Sequence, residues 1–145
     1  MILQIDARLT KQMVDAAEAA FPAEACGLII GRGKGQLIRV TRVVAAPNLM
    51  GDTPDRFELD PGVRIAVEKE LRDAGGKDRI VGHYHSHTDG TADPSATDRA
   101  MAHEPDLAWL IIGVLEGQAI QSLAHRLDEK RAQFRPVPIR TPKAK

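Results

Sequence analysis

The sequence predicts a single α/β domain, a sandwich of helices around a mixed β-sheet, and three observations predict it. Apolar runs short enough for buried strands are interleaved with two amphipathic helical stretches. A Gly-rich turn at 31–35 joins two of the strands as a hairpin, and no strand–helix–strand unit repeats. At 145 residues the chain reads as one domain over 1–145, long enough to bury a core without disulfide or metal staples.

Ile2 to Ile5 is a short apolar run suited to a strand, and Leu9, Met13, Ala16, Ala17 and Ala20 then recur at helical spacing. Pro22 ends or redirects that helix, and Cys26 to Ile30 reads as a buried strand with Glu24 at the join. After Gly31 to Gly35, the stretch from Gln36 to Ala46 alternates as the returning hairpin strand, and Pro47 to Asp55 is a polar loop. Arg56 to Leu59 reads as a brief strand. Asp60-Pro61 then starts a helix, Asp as N-cap and Pro in the first turn, and Gly75-Gly76 closes it after Ala74. Arg79 to His87 is a strand, Thr88 to Pro94 a polar segment, and Ser95 to Ala102 a short helix. Leu107 to Leu115 and Ala119 to Leu127 form two more strands around Glu116-Gly117. The basic tail over 130–145 is expected to be partly an edge strand and then flexible.

Composition narrows the function. Twenty Lys+Arg balance twenty Asp+Glu, so no net field recruits nucleic acid or an anionic membrane. No run approaches the length of a membrane span, and the first residues are too quickly charged for a signal peptide, so a cytoplasmic location is expected. No GxGxxG or GxxxxGK[ST] pattern follows a strand, which removes support for nucleotide binding. Cys26 is the only cysteine, in keeping with a reducing compartment, and reads as a core residue rather than a redox sensor.

The chemistry gathers after the third long strand. His85 and His87 are two residues apart on a strand, so both imidazoles face the same side. Asp98 falls in the first turn of the helix that Ser95 caps, a position that can bring a carboxylate back over the strand end. Two histidines and a carboxylate leave a fourth position for water, the donor set of a catalytic rather than a structural zinc. A carboxylate outside the metal shell suits the proton shuttle such a water needs, and Glu24 is one of several acids that could serve. Each feature has a plainer reading. A His-rich strand end can be polar surface, Ser95-Ala96-Thr97-Asp98 is also a helix N-terminus, and Glu24 alone is a surface acid. His83 shares the parity of His85 and His87, so a three-histidine site is a rival; His103 and His125 read as structural or exposed, and Asp89 and Asp93 as turn formers.

Together these residues resemble the JAMM (MPN+) metalloprotease family. Its pattern is an upstream glutamate, His-x-His, seven residues, then Ser-x-x-Asp; here that reads Glu24, His85-Ser86-His87, Thr88 to Pro94, Ser95 and Asp98. Pro22-Ala23-Glu24-Ala25-Cys26-Gly27-Leu28, Gly82-His83-Tyr84-His85-Ser86-His87 and Pro94-Ser95 resemble the family's surrounding segments, and the likeness covers about half the chain. It departs at Thr88, where the family usually has proline, and at His83, where it often has an aromatic residue. The resemblance implies a cytidine-deaminase-like sandwich and one zinc per chain, held by His85, His87 and Asp98. It makes Glu24 the general acid/base and Ser95 the oxyanion donor, and leaves His83 as a wall of the cleft.

Bare prokaryotic domains of this kind resemble enzymes that trim ubiquitin-like sulfur carriers ending in Gly-Gly. The expected reaction is therefore amide hydrolysis after that Gly-Gly, removing a terminal extension or, in cysteine biosynthesis, releasing cysteine from a carrier adduct. The alternatives are a cell-wall or phage-tail peptidase and a non-catalytic MPN scaffold. The oligomeric state is not readable from the sequence.

Overall fold

The computed structural model describes residues 1–51, 57–102, 104–128, 130 and 133–143. In chain order the elements are β1 (Ile2–Gln4), α1 (Ala7–Ala20), β2 (Cys26–Arg32), β3 (Leu37–Ala46), α2 (Pro61–Ala74) and β4 (Arg79–His87), then α3 (Ala96–Met101), β5 (Ala108–Leu115), β6 (Gln118–Asp128), β7 (Gln133–Val137) and β8 (Ile139–Arg140).

Local chemistry sets the helix ends. The Asp6 carboxylate accepts from the Leu9 N–H at 2.8 Å and opens α1, and Asp60 accepts from the Gly62 N–H at 2.8 Å and opens α2 ahead of Pro61. Gly75 closes α2 in the left-handed conformation, φ 66°, donating its N–H to the Arg72 carbonyl.

All eight strands form one sheet in the order β7-β6-β5-β4-β2-β3-β1-β8. The sheet is mixed, as expected: β4 is antiparallel to β2 and parallel to β5, while β2 with β3 and β5 with β6 are antiparallel pairs. Leu9, Met13 and Ala17 of α1 lie one turn apart and are buried with Leu3, Ile29, Tyr84, Leu110, Ile112 and Val114 in the main core. On the other face, Val67 of α2, with Val63 and Leu71, packs over Leu28 and Ile30. Tyr84 points into the α1 core, so alternation along β4 turns His83, His85 and His87 to the α2 side.

The edge strand expected in the tail from Lys130 is present: β7 and β8, with only Pro138 between them, take the two ends of the strand order, and the Pro138 carbonyl accepts from the Leu3 N–H at 2.9 Å. One C-terminal segment thus ties both sheet edges, covering groups that an open edge would expose. The brief strand at Arg56 to Leu59 reduces, among the described residues, to an isolated bridge between Asn48 and Leu59. Arg56, residues 52–55 of the polar loop before it, and His103 lie outside the described residues.

Candidate metal centre

The centre sits where β4 ends and α3 begins. His85 Nε2 lies 3.2 Å from His87 Nε2, Asp98 Oδ1 lies 3.2 Å from His85 Nε2, and Asp98 Oδ2 lies 3.0 Å from His87 Nε2. All three side chains are buried, and they form the group whose ligand atoms gather within 4.8 Å of one another. At Zn–N and Zn–O bonds near 2 Å, tetrahedral ligands stand about 3.3 Å apart, so these separations fit a zinc ion. The chemistry of the donors agrees. Two imidazole nitrogens pointed at each other cannot both carry a proton, and a shared cation satisfies both at once.

The reading of the Ser95 segment as a helix N-terminus holds. Ser95 caps α3 in a reciprocal box: its hydroxyl oxygen accepts from the Asp98 N–H at 3.0 Å, and its own N–H donates to Asp98 Oδ2 at 2.8 Å. The box orients the Asp98 carboxylate toward the histidines. It also leaves the Ser95 hydroxyl proton available, because the hydroxyl acts as acceptor in the cap.

Glu24 is 3% exposed, which removes the surface-acid reading. It lies two residues before Cys26, and Cys26 pairs with His85 in the antiparallel ladder; continued outward, that register puts Ala25 beside Ser86 and Glu24 beside His87. The Glu24 charge acts on both His87 and Cys26. The Asn48 amide donates to the Glu24 carbonyl at 3.0 Å, while its Oδ1 accepts from Met50 and Glu58 N–H groups, both at 2.9 Å. One side chain thereby joins the Glu24 segment to the loop after β3.

Electrostatics separate the three histidines. Burial, then the neighbouring His85, pushes His83 down to about 3, and burial likewise lowers His85. At His87, burial is outweighed by the hydrogen bond and charge of Asp98, with Glu24 adding, and the ring is raised. Burial works against the Asp98 carboxylate, but hydrogen bonds from His85 and His87 hold it well below the usual range.

His83 does not join the cluster. Its ring packs edge-on against Trp109 at 4.4 Å and stands 6.2 Å from the His85 ring, lining a neighbouring cavity with Phe57, which stacks on His85 at 4.1 Å. His125 is buried and bonds the Ala92 carbonyl at 2.8 Å, a structural role, and Asp89 makes the expected turn by accepting from the Thr91 N–H. Thr91 was missed by the sequence reading. Its hydroxyl sits 3.2 Å from His87 Nδ1 and donates to Asp89 at 2.7 Å, which fixes the His87 tautomer with Nε2 toward the cluster. Asp89-Gly90-Thr91 as a turn was the available signal. Asn48 was missed too, and no sequence feature marks it.

Known proteins resemble this chain. The pattern of the family described as prokaryotic homologs of the JAB domain matches residues 6–126. A desampylase of Haloferax volcanii is 34% identical over 90 residues, covering 62% of this chain and 62% of the desampylase. The chain thus spans less than two thirds of that relative. A CysO-cysteine peptidase of Mycobacterium tuberculosis is 29% identical over 138 residues, 95% of this chain and 91% of the peptidase. The solution structure of a Desulfitobacterium hafniense protein superposes with a TM-score of 0.84 at 28% identity, covering 99% of this chain and 94% of that one.

Proposed function

The chain belongs to the family of prokaryotic homologs of the JAB domain, and on that premise we propose that it is a zinc-dependent peptidase. Its reaction is hydrolysis of the amide bond after the C-terminal Gly-Gly of a ubiquitin-like sulfur-carrier protein, removing a terminal extension or a cysteine adduct. The observation that carries the reading is the convergence of His85 Nε2, His87 Nε2 and the Asp98 carboxylate, with Glu24 buried beside His87. Similarity to a desampylase and to a CysO-cysteine peptidase supports small ubiquitin-like proteins as the substrate class.

In this reading His85, His87 and Asp98 hold one zinc per chain. When bound, the ion supplies Lewis-acid polarisation and lowers the pKa of a water to about 7. The residues around it do the rest. Glu24 takes the proton of the attacking water and delivers it to the leaving amine, a shuttle worth roughly 10²–10⁴-fold. Ser95, whose oxygen already accepts from the Asp98 N–H, directs its hydroxyl proton to the oxyanion that develops on the scissile carbonyl. Thr91 and the Ser95–Asp98 box keep the donors aimed, so little reorganisation is required as charge develops.

A purely structural site is disfavoured by the same donors, since structural zinc fills its fourth position with Cys or His. Cys26 hydrogen-bonds the Ala46 and Pro47 carbonyls through Sγ, and it is not a member of the converging group. Among the described residues no helix is long and apolar enough to cross a membrane. The test is to incubate the purified protein with Gly-Gly carriers bearing either extra residues or a C-terminal cysteine and to read product masses. Cleavage directly after Gly-Gly is expected, and intact carriers throughout would refute the substrate class.

A further inference from the structure

Beside the candidate centre, on the same face of β4, lies a cavity of about 250 Å³. Leu28, Phe57, Leu107 and Trp109 give it apolar walls, and His83 supplies an imidazole. His83 Nδ1 is buried with no hydrogen-bond partner among the described residues. Arg64 also lines the cavity but brings no spare charge, because two of its nitrogens bind Glu104 at 2.7 and 2.9 Å and a third binds Glu68 at 3.1 Å.

The cavity adjoins His85 of the candidate metal centre. Phe57 stacks on His85 at 4.1 Å and His83 stands 6.2 Å from it, whereas consecutive Cα atoms are 3.8 Å apart. One residue beyond the scissile bond therefore reaches it. The two glycines on the acyl side have no side chain to place there, so the side chain nearest the bond that can enter belongs to the first residue of the leaving side.

Resting on the carrier-peptidase reading, we propose that this cavity receives the first residue of the leaving peptide and selects a bulky uncharged side chain, which the Phe57, Trp109 and His83 rings enclose. A cysteine or alanine side chain leaves most of the space empty and forfeits contact with the aromatic walls. An acidic side chain, or the α-carboxylate of a lone cysteine, would be desolvated beside an arginine already occupied by two carboxylates. Of the two leaving groups considered above, the cavity favours a terminal extension beginning with Tyr, Phe or Leu over a lone cysteine.

The experiment uses carrier fusions in which Gly-Gly is followed by Tyr, Phe, Leu, Ala or Asp, and one ending in a lone Cys. The expected kcat/KM for Tyr, Phe and Leu is at least about tenfold above that for Ala, Asp or lone Cys. Equal rates for Tyr and Ala, or a preference for lone Cys, overturn the proposal.

Trp109 is the only tryptophan, so its emission reports filling of the cavity without turnover. N-acetyltyrosinamide should shift it saturably and N-acetylalaninamide should not. If no fusion is cleaved but that shift appears, the carrier reading falls and the cavity assignment stands. Cleavage without preference and without a shift leaves the carrier reading standing and overturns the cavity assignment.

Discussion

The Ser86 hydroxyl accepts a 2.8 Å hydrogen bond from the Ala25 N–H, and the Ala25 carbonyl accepts one of 3.0 Å from the Ser86 N–H. This pair lies one step beyond Cys26 and His85 in the β2–β4 ladder, with a side-chain oxygen as one of the acceptors, and the charge of Glu24, the residue before Ala25, acts on His87.

Ser86→Ala should therefore leave a buried N–H without its acceptor and destabilise the protein by about 1–3 kcal/mol. The urea midpoint should fall with the m-value unchanged. Turnover should fall further than stability alone accounts for, because Glu24 loses its register, and Ser86→Thr should restore both. Unaltered turnover in Ser86→Ala would show that Glu24 is positioned by something else.

Much of the centre was legible in the sequence because it is local. His85 and His87 share a strand face by simple alternation, and Asp98 is read from the cap of its own helix. Glu24 was not placeable, because its position depends on a pairing between residues 61 apart in the chain. For the same reason β8 was invisible: two residues have no period, and their partner β1 is at the other end of the sequence. Thr91 and Asn48 act through hydrogen bonds to residues on other segments, and only the Asp89-Gly90-Thr91 turn leaves a trace of either in the sequence.

Thr91→Val removes the partner of His87 Nδ1 and should lower zinc affinity about 10–100-fold while the fold is kept. Competition titration against a zinc chelator measures this directly. Wild-type affinity in the variant would mean that His87 is oriented by the backbone alone.

Acid should destabilise the zinc-free protein. His83 and His85 are lowered by burial, so below about 6.5 the unfolded chain binds protons that the folded chain refuses, and stability is lost as pH falls. His87 is raised and acts oppositely, its contribution being present below about 6.5 and lost as pH rises through its folded value, but it is one group against two. Stability should thus rise with pH through this window, at most about 1.4 kcal/mol per pH unit for each uncompensated group. His83→Phe should flatten the slope in urea melts run across that range. Zinc affinity should rise with pH too, since the raised His87 must shed its proton to bind metal.

Cys26 is pushed up to about 12, first by burial and then by the Glu24 charge, so it is a thiol at neutral pH. Iodoacetamide should leave it unmodified in the native protein and alkylate it after denaturation. Native labelling at the rate of a small thiol would contradict this.

The central claim is that His85, His87 and Asp98 hold a zinc for which Glu24 is the acid/base rather than a ligand. The most direct test is the kcat of Glu24→Gln on a Gly-Gly carrier fusion, measured on protein whose zinc content is determined in the same sample. One zinc per chain with kcat reduced about 10²–10⁴-fold is the predicted result. Wild-type kcat in the zinc-loaded variant, or loss of the zinc along with the activity, would contradict the account.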